Sequence, residues 1–195
     1  MSKTQIGMNF KKYLPIILLA LFACKGSAQF GKNCELRQVK INLINPGLEY
    51  EMALGANTTF DVKVGIQAAL DPLLPDVYSE LGVFPAIAGQ YRYYYNFEKR
   101  QRKRKQIYGN SANYIAPAVA VFFPGSRTIG TENVKGAFGY AGLVTGIQRS
   151  YDSGFNFSVD VGAAYYDGQF EGGIYPVANL SIGFIISEKR WCVGR

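Results

Sequence analysis

The sequence predicts an all-β fold: an eight-stranded antiparallel up-and-down transmembrane β-barrel, preceded by a cleaved signal peptide. Three observations predict it. Beyond residue 36, apolar and polar residues alternate with a period of two rather than 3.6. Most alternating segments reach the roughly 9–11 residues that a tilted strand needs to cross a bilayer. A basic and then apolar segment stands at the N-terminus, as in exported proteins. An apolar fraction of 48% and an aromatic fraction of 14% in 195 residues exclude a disordered chain.

In the first segment, Lys11 and Lys12 precede the apolar run Leu14–Ala23, and Lys25, Gly26, Ser27 and Ala28 follow it. A membrane-spanning helix needs ~20 apolar residues, about twice this run, so residues 1–28 read as a secretory signal peptide cut after Ala28. Met8 is an alternative start. A lipoprotein cut before Cys24 is disfavoured by the bulky Phe22. Removing residues 1–28 takes away four lysines and no acid, leaving 17 cations against 14 acids, a net charge of +3. Six of those cations stand between Lys99 and Lys105, and the rest of the mature chain is net acidic. A near-neutral exported domain with one basic loop does not fit nucleic-acid binding.

The expected domain organisation follows: signal peptide 1–28, a short periplasmic lead-in 29–36, the barrel 37–187 and a periplasmic tail 188–195. Segment 37–54 changes parity across Asn45, Pro46 and Gly47, a turn signal. It reads as two short strands, 37–44 and 48–54, or as one long strand with a bulge. The even strand number of single-chain bacterial barrels favours the hairpin. Residues 58–70 alternate without error, with Phe60, Val62, Val64, Ile66 and Ala68 on one face. Strands are next expected at 85–97, 112–123, 137–149, 154–166 and 176–187. Pro117 lacks a ladder donor and predicts a bulge or bend in the fifth. The connections 55–57 and 150–153 are short, while 71–84, 124–136 and 167–175 are longer, the alternation expected of outer-membrane turns and loops. Connection 98–111 is long where a short periplasmic turn is expected.

The polar face of these strands holds Lys40, Glu49, Glu51, Asp61, Lys63, Arg92 and Asp160 among Asn, Gln, Ser, Gly and Ala. Small residues with balanced charge suit the filled lumen of an eight-stranded barrel, and charges buried there must pair. The opposite face is bulky and uncharged through the strand centres. Tyr91, Tyr93, Tyr95, Phe123, Phe155 and Tyr165 gather towards strand ends, as an interfacial girdle would. A soluble periplasmic lipocalin-like barrel is the alternative, but it should carry Lys and Glu along its outer face.

The signal ending Ser27, Ala28, Gln29, the run Tyr91–Arg100 and the run Asn110–Tyr114 together resemble the small outer-membrane β-barrel proteins of the Bacteroidota, of the OmpA/OmpX-like eight-stranded type. The resemblance covers 37–187 and implies that fold and a Gram-negative outer-membrane location. It supplies no catalytic residues. Many such barrels end on an aromatic residue, whereas Phe184 lies eleven residues before the terminus.

Histidine is absent, which removes His-metal sites, Ser-His-Asp triads and Cys-His dyads. No enzyme activity, catalytic residue, metal or cofactor is expected, and a filled eight-stranded lumen is not expected to be an open pore. The expected role is structural or surface interaction. An adhesin or ligand-binding role through loop 71–84, with Leu73, Leu74, Val77, Tyr78, Leu81 and Phe84, is the alternative. The expected partners are outer-membrane lipids. The basic turn of Lys99, Arg100, Arg102, Lys103, Arg104 and Lys105 is a candidate contact for anionic lipid head groups or a periplasmic polymer. Cys34 and Cys192 flank the barrel at one rim and form a candidate disulfide.

Overall fold

The structure, a computed structural model, describes residues 34–70, 81–123, 136–167 and 172–192. The expected signal peptide, residues 71–80 of the candidate adhesin loop and the last three residues lie outside the described residues. Eight strands form a closed antiparallel barrel in chain order. They are β1 (Cys34–Ile44), β2 (Gly47–Ala53), β3 (Thr58–Leu70), β4 (Leu81–Tyr94), β5 (Asn113–Phe122), β6 (Phe138–Ser150), β7 (Phe155–Asp167) and β8 (Gly173–Cys192). Each strand pairs with the next, and β8 closes on β1.

Segment 37–54 is a hairpin rather than a bulged strand. Asn45 takes a left-handed conformation (φ 57°), which asparagine tolerates better than most side chains, and Pro46 completes the turn. Asn45 also ties this turn to its surroundings: its Nδ2 donates to the Leu180 carbonyl, and its Oδ1 accepts from Ala68 N. Just beyond, Gly47 faces Gly65 across β2 and β3. A Cβ on either would collide with the other strand's backbone, so the absent side chains let the two strands cross closely.

Several expected boundaries move. Residues 34–36 and 188–192, expected as lead-in and tail, belong to β1 and β8. Trp191 therefore lies one residue from the end of the last strand, and β8 does finish beside an aromatic residue. Leu81 and Phe84, expected in the outer loop, belong to β4, and Phe84 is buried inside the barrel. Pro117 produces no bulge. The β4–β5 ladder skips Ala116 and Pro117 and resumes in the same register, since Gln90 pairs Ala118 and Tyr93 pairs Ile115. The irregularities fall instead on the β1–β8 seam, between Val39 and Lys40 and between Asn42 and Ile44.

The long connection 95–112 is not a plain turn. It opens with a helix, α1 (Phe97–Arg102), which the sequence reading missed. The helix closes as a Schellman end: Lys105 N donates to the Arg100 carbonyl and Arg104 N to the Gln101 carbonyl. Arg104 occupies the left-handed position of that motif (φ 51°). After it the chain turns back into the barrel through a 3-10 turn at Tyr108–Asn110, and Gly109, Asn110, Ser111 and Ala112 are buried.

The interior is divided. Around β4, β5 and β6 it is apolar, with Ala86, Ala116, Ala118 and Ala120 packed against Phe84, Phe122, Phe138 and Tyr140. The Phe122 and Phe138 rings stack at 4.8 Å, and Phe84 meets Phe138 edge-on at 5.1 Å. This aromatic group points inward because its parity places it there, while the expected girdle residues Tyr93, Tyr95, Phe123 and Tyr165 are exposed. Alanines beside large rings are the small-against-large filling that a narrow barrel requires.

Candidate functional site

The other half of the interior is charged. Lys40 on β1, Glu49 and Glu51 on β2, Asp61 on β3, Arg92 on β4 and Asp160 on β7 are fully or almost fully buried, and Lys63 is partly buried. Period-two alternation turns all seven inward, and closure of the sheet brings them together.

Glu51 is the hub. Its Oε1 accepts from Tyr94 OH at 2.8 Å and Asn110 Nδ2 at 2.6 Å. Its Oε2 accepts from Lys40 Nζ at 2.8 Å, Gln38 Nε2 at 2.7 Å and Gln148 Nε2 at 2.9 Å. Lys40 also donates to Glu49 Oε1 at 2.7 Å, so one ammonium bridges two carboxylates. Asn42 Nδ2 holds the other Glu49 oxygen at 3.0 Å, with Lys63 Nζ 3.5 Å from it. Arg92 spends its donors on three groups: Gln90 Oε1 at 2.8 Å, Gln148 Oε1 at 2.8 Å and Asp61 Oδ1 at 3.1 Å. Its guanidinium lies over the Tyr114 ring, 4.8 Å from the centroid. Asp160 stands apart from the cations and is satisfied by neutral donors: Tyr114 OH, Gln90 Nε2 and Asn179 Nδ2. Paired or fully hydrogen-bonded charge is the form in which buried charge is tolerated.

Glu49, Glu51 and Asp61 could by spacing hold a metal ion, since one oxygen from each lies within 4.8 Å of the others. The Lys40 ammonium already sits between Glu49 and Glu51, and Arg92 holds Asp61. These contacts make the cluster an ion-pair network. A polar cavity of about 30 Å³ adjoins it, lined in part by Asn42, Asp61, Lys63, Gln90, Asn179 and Ser181. That is room for water-sized occupants only.

The sequence reading placed Gln90 and Tyr94 on the polar face with Arg92 without singling them out, and missed the other neutral members: Gln38, Gln148, Tyr114 and Asn110. Gln38, Gln90 and Tyr94 share the inward parity of Lys40 and Arg92 on their strands, and Tyr114 and Gln148 lie on the buried parity of β5 and β6, so the alternation carried that signal. Asn110 and Gly109 lie in the β4–β5 connection, where alternation says nothing. Gly109 O accepts from Ser150 Oγ at 2.7 Å and Gln148 Nε2 at 3.0 Å, so this connection seals the terminal end of the lumen. Gly109 has φ 56°, and a Cβ there would sit 2.5 Å from Ser150 Cβ. Gly109→Ala is therefore expected to cost about 1–3 kcal/mol through overpacking and backbone strain, read as a lower unfolding midpoint in detergent.

The remaining expected site residues lie apart from this network. Lys99, Arg102, Lys103, Arg104 and Lys105 are exposed and Arg100 is half-buried, all on α1 and its C-terminal turn. Cys34 and Cys192 are Cα partners at the open ends of β1 and β8.

No known family model, curated protein or solved structure matches the chain. What stands is the class of fold, a closed eight-stranded antiparallel β-barrel with a charged, filled interior.

Proposed function

We propose that this protein is an outer-membrane β-barrel of the small eight-stranded type, exported by its N-terminal signal peptide, with a structural or surface-interaction role and no open pore. The observation that carries the proposal is the inversion of the barrel. Its ionic network is inside, while large apolar side chains stand outside: Leu43, Leu48, Val64, Leu143 and Val161 are each more than half exposed. A continuous exposed apolar belt of this kind far exceeds what a soluble monomer shows. Among the strand residues whose exposure is described, outward charges fall only near the ends, at Arg37, Arg149, Asp167 and Lys189. On β7 the uncharged outward face runs from Phe155 to Tyr165. That is ~33 Å of strand, or ~25 Å along a barrel axis at a tilt of ~40°, the height of a lipid-facing band.

The same observation speaks against the soluble lipocalin-like alternative, which would need this belt to face water. The terminal end, with its plugged lumen, would lie in the periplasm. Fractionation is expected to place the protein in the outer membrane, and unheated samples are expected to migrate faster on gels than boiled ones. Recovery as a monodisperse soluble protein without detergent would sink the proposal. In planar bilayers the purified barrel is expected to give no stable conductance steps, because ion pairs and the Gly109–Asn110 turn occupy the lumen.

A further inference from the structure

We infer that the terminal rim of the barrel binds the anionic head groups of a surrounding phospholipid leaflet, through two sets of cations on opposite sides of the ring. This inference rests on the membrane-barrel reading above and names a partner for one of its rims.

The first set is the α1 segment. Its six cations carry no ion pair among the described residues, and Arg100 alone is committed locally, donating to the Gln106 carbonyl. Arg104 stands at the left-handed position that a glycine would occupy with the least strain. The segment follows directly on Tyr93 and Tyr95, which are exposed on the outer surface at the end of β4. Cations one turn beyond such aromatic side chains sit at the depth of lipid phosphates.

The second set is on the closing seam. Arg37 on β1 and Lys189 on β8 are directly opposite Cα partners, and both are exposed on the outer face. Like charges placed opposite each other across a ladder repel. Neither has an ion-pair partner among the described residues. A phosphodiester between them would relieve that repulsion and supply a counter-charge.

Position decides between a leaflet and a polymer. In a ring of eight strands the β4–β5 connection lies diametrically across from the β1–β8 seam. A rod-like anionic polymer or a single docked protein meets one side of the rim, whereas a leaflet encircles it and meets both. Each cation close to an anionic leaflet contributes up to about a fivefold preference, which salt weakens.

The test uses the full mature barrel in nanodiscs of phosphatidylcholine alone or with phosphatidylglycerol, with retained lipid read by native mass spectrometry. Two variants separate the sites: R37Q/K189Q, and K99Q/R102Q/K103Q/K105Q, which leaves Arg100 and the helix end in place. Heat-modifiable migration in each variant reports that the barrel still folds. The wild type is expected to retain phosphatidylglycerol at least about fivefold over phosphatidylcholine. Each variant is expected to lose part of that preference, and high salt most of it. Equal retention of both lipids by the wild type overturns the inference. So does a preference lost only in the α1 variant, together with tight binding of soluble poly-glutamate there, which would assign the helix to a polymer. If the protein enters no nanodisc and stays soluble alone, the membrane reading itself has failed, and that result is distinct from equal retention.

Discussion

Replacing Arg92 with alanine is expected to destabilise the folded barrel by about 3–5 kcal/mol. The seven charged residues of the predicted cluster are three cations and four acids, so the cluster's formal charge is already one unit negative. Arg92 is the cation that reaches across the lumen, bonding Asp61 on β3, Gln90 on its own strand and Gln148 on β6. Without it Asp61 loses its 3.1 Å bond to a cation, and its other oxygen, Oδ2, has no partner to compensate. Gln148 keeps its weaker contact with Lys40 Nζ at 3.3 Å. Urea titration of the folded protein in detergent should show a midpoint far below that of the wild type. The double variant R92M/D61N restores the original net charge and most of the volume. It should recover much of the loss, since a buried pair replaced as a unit is far less costly than one broken in half. An unchanged midpoint for Arg92→Ala would mean that this face of β4 does not point into a closed lumen.

The second large effect concerns the seam. Every neighbouring strand pair but one is joined by a connection in the chain; β1 and β8 meet instead through a ladder that is irregular at two points. Cys34 and Cys192 are the outermost partners of this ladder, directly opposite each other. Opposed residues in an antiparallel pair have Cα atoms ~4.5–5.5 Å apart, inside the ~4.4–6.8 Å range that a disulfide spans. In an oxidising periplasm the mature protein is expected to carry this bridge. It would close a loop of nearly the whole barrel, for which chain entropy allows up to about 5 kcal/mol. Maleimide labelling of the mature protein, unfolded without reductant, should find neither thiol free. Reduction or Cys34→Ser should lower the temperature at which the gel-shifted form disappears. Two labelled thiols per mature chain would exclude the bridge.

Much of this architecture was legible before the fold was known, and the reason is geometric. A strand sends successive side chains to opposite faces, so parity along the chain sorts residues into lumen and surface without knowledge of neighbours. That is why Lys40, Glu49, Glu51, Asp61, Lys63, Arg92 and Asp160 could be grouped from spacing alone. It is also why the turn at Asn45 and Pro46 could be placed where the parity switches. The rule that misled was local. Proline at position 117 suggested a bulge, but the unpaired stretch beside β4 absorbs it with the register intact. The same parity leaves the expected girdle residues Tyr93, Tyr95 and Tyr165 exposed and turns Phe84, Tyr94, Tyr114, Phe122, Phe138 and Tyr140 into the lumen.

By itself, then, the sequence determined the periodicity and the face on which each charge lies, because both depend on separations of a few residues along one chain; the choice between a hairpin and a bulged strand over 37–54, and with it the strand number, fell to the structure. Tertiary structure alone decided which charges meet. Shear between strands sets which levels of the lumen coincide, and so puts Gln148 between Lys40 and Arg92 and leaves Asp160 to neutral donors. It also decided the fate of connection 95–112, whose polar, glycine-containing chain reads as an exposed turn. Gly109 and Asn110 become a plug only because closure of the barrel offers Ser150, Gln148 and Glu51 as partners for backbone and side-chain groups that would otherwise stay in water.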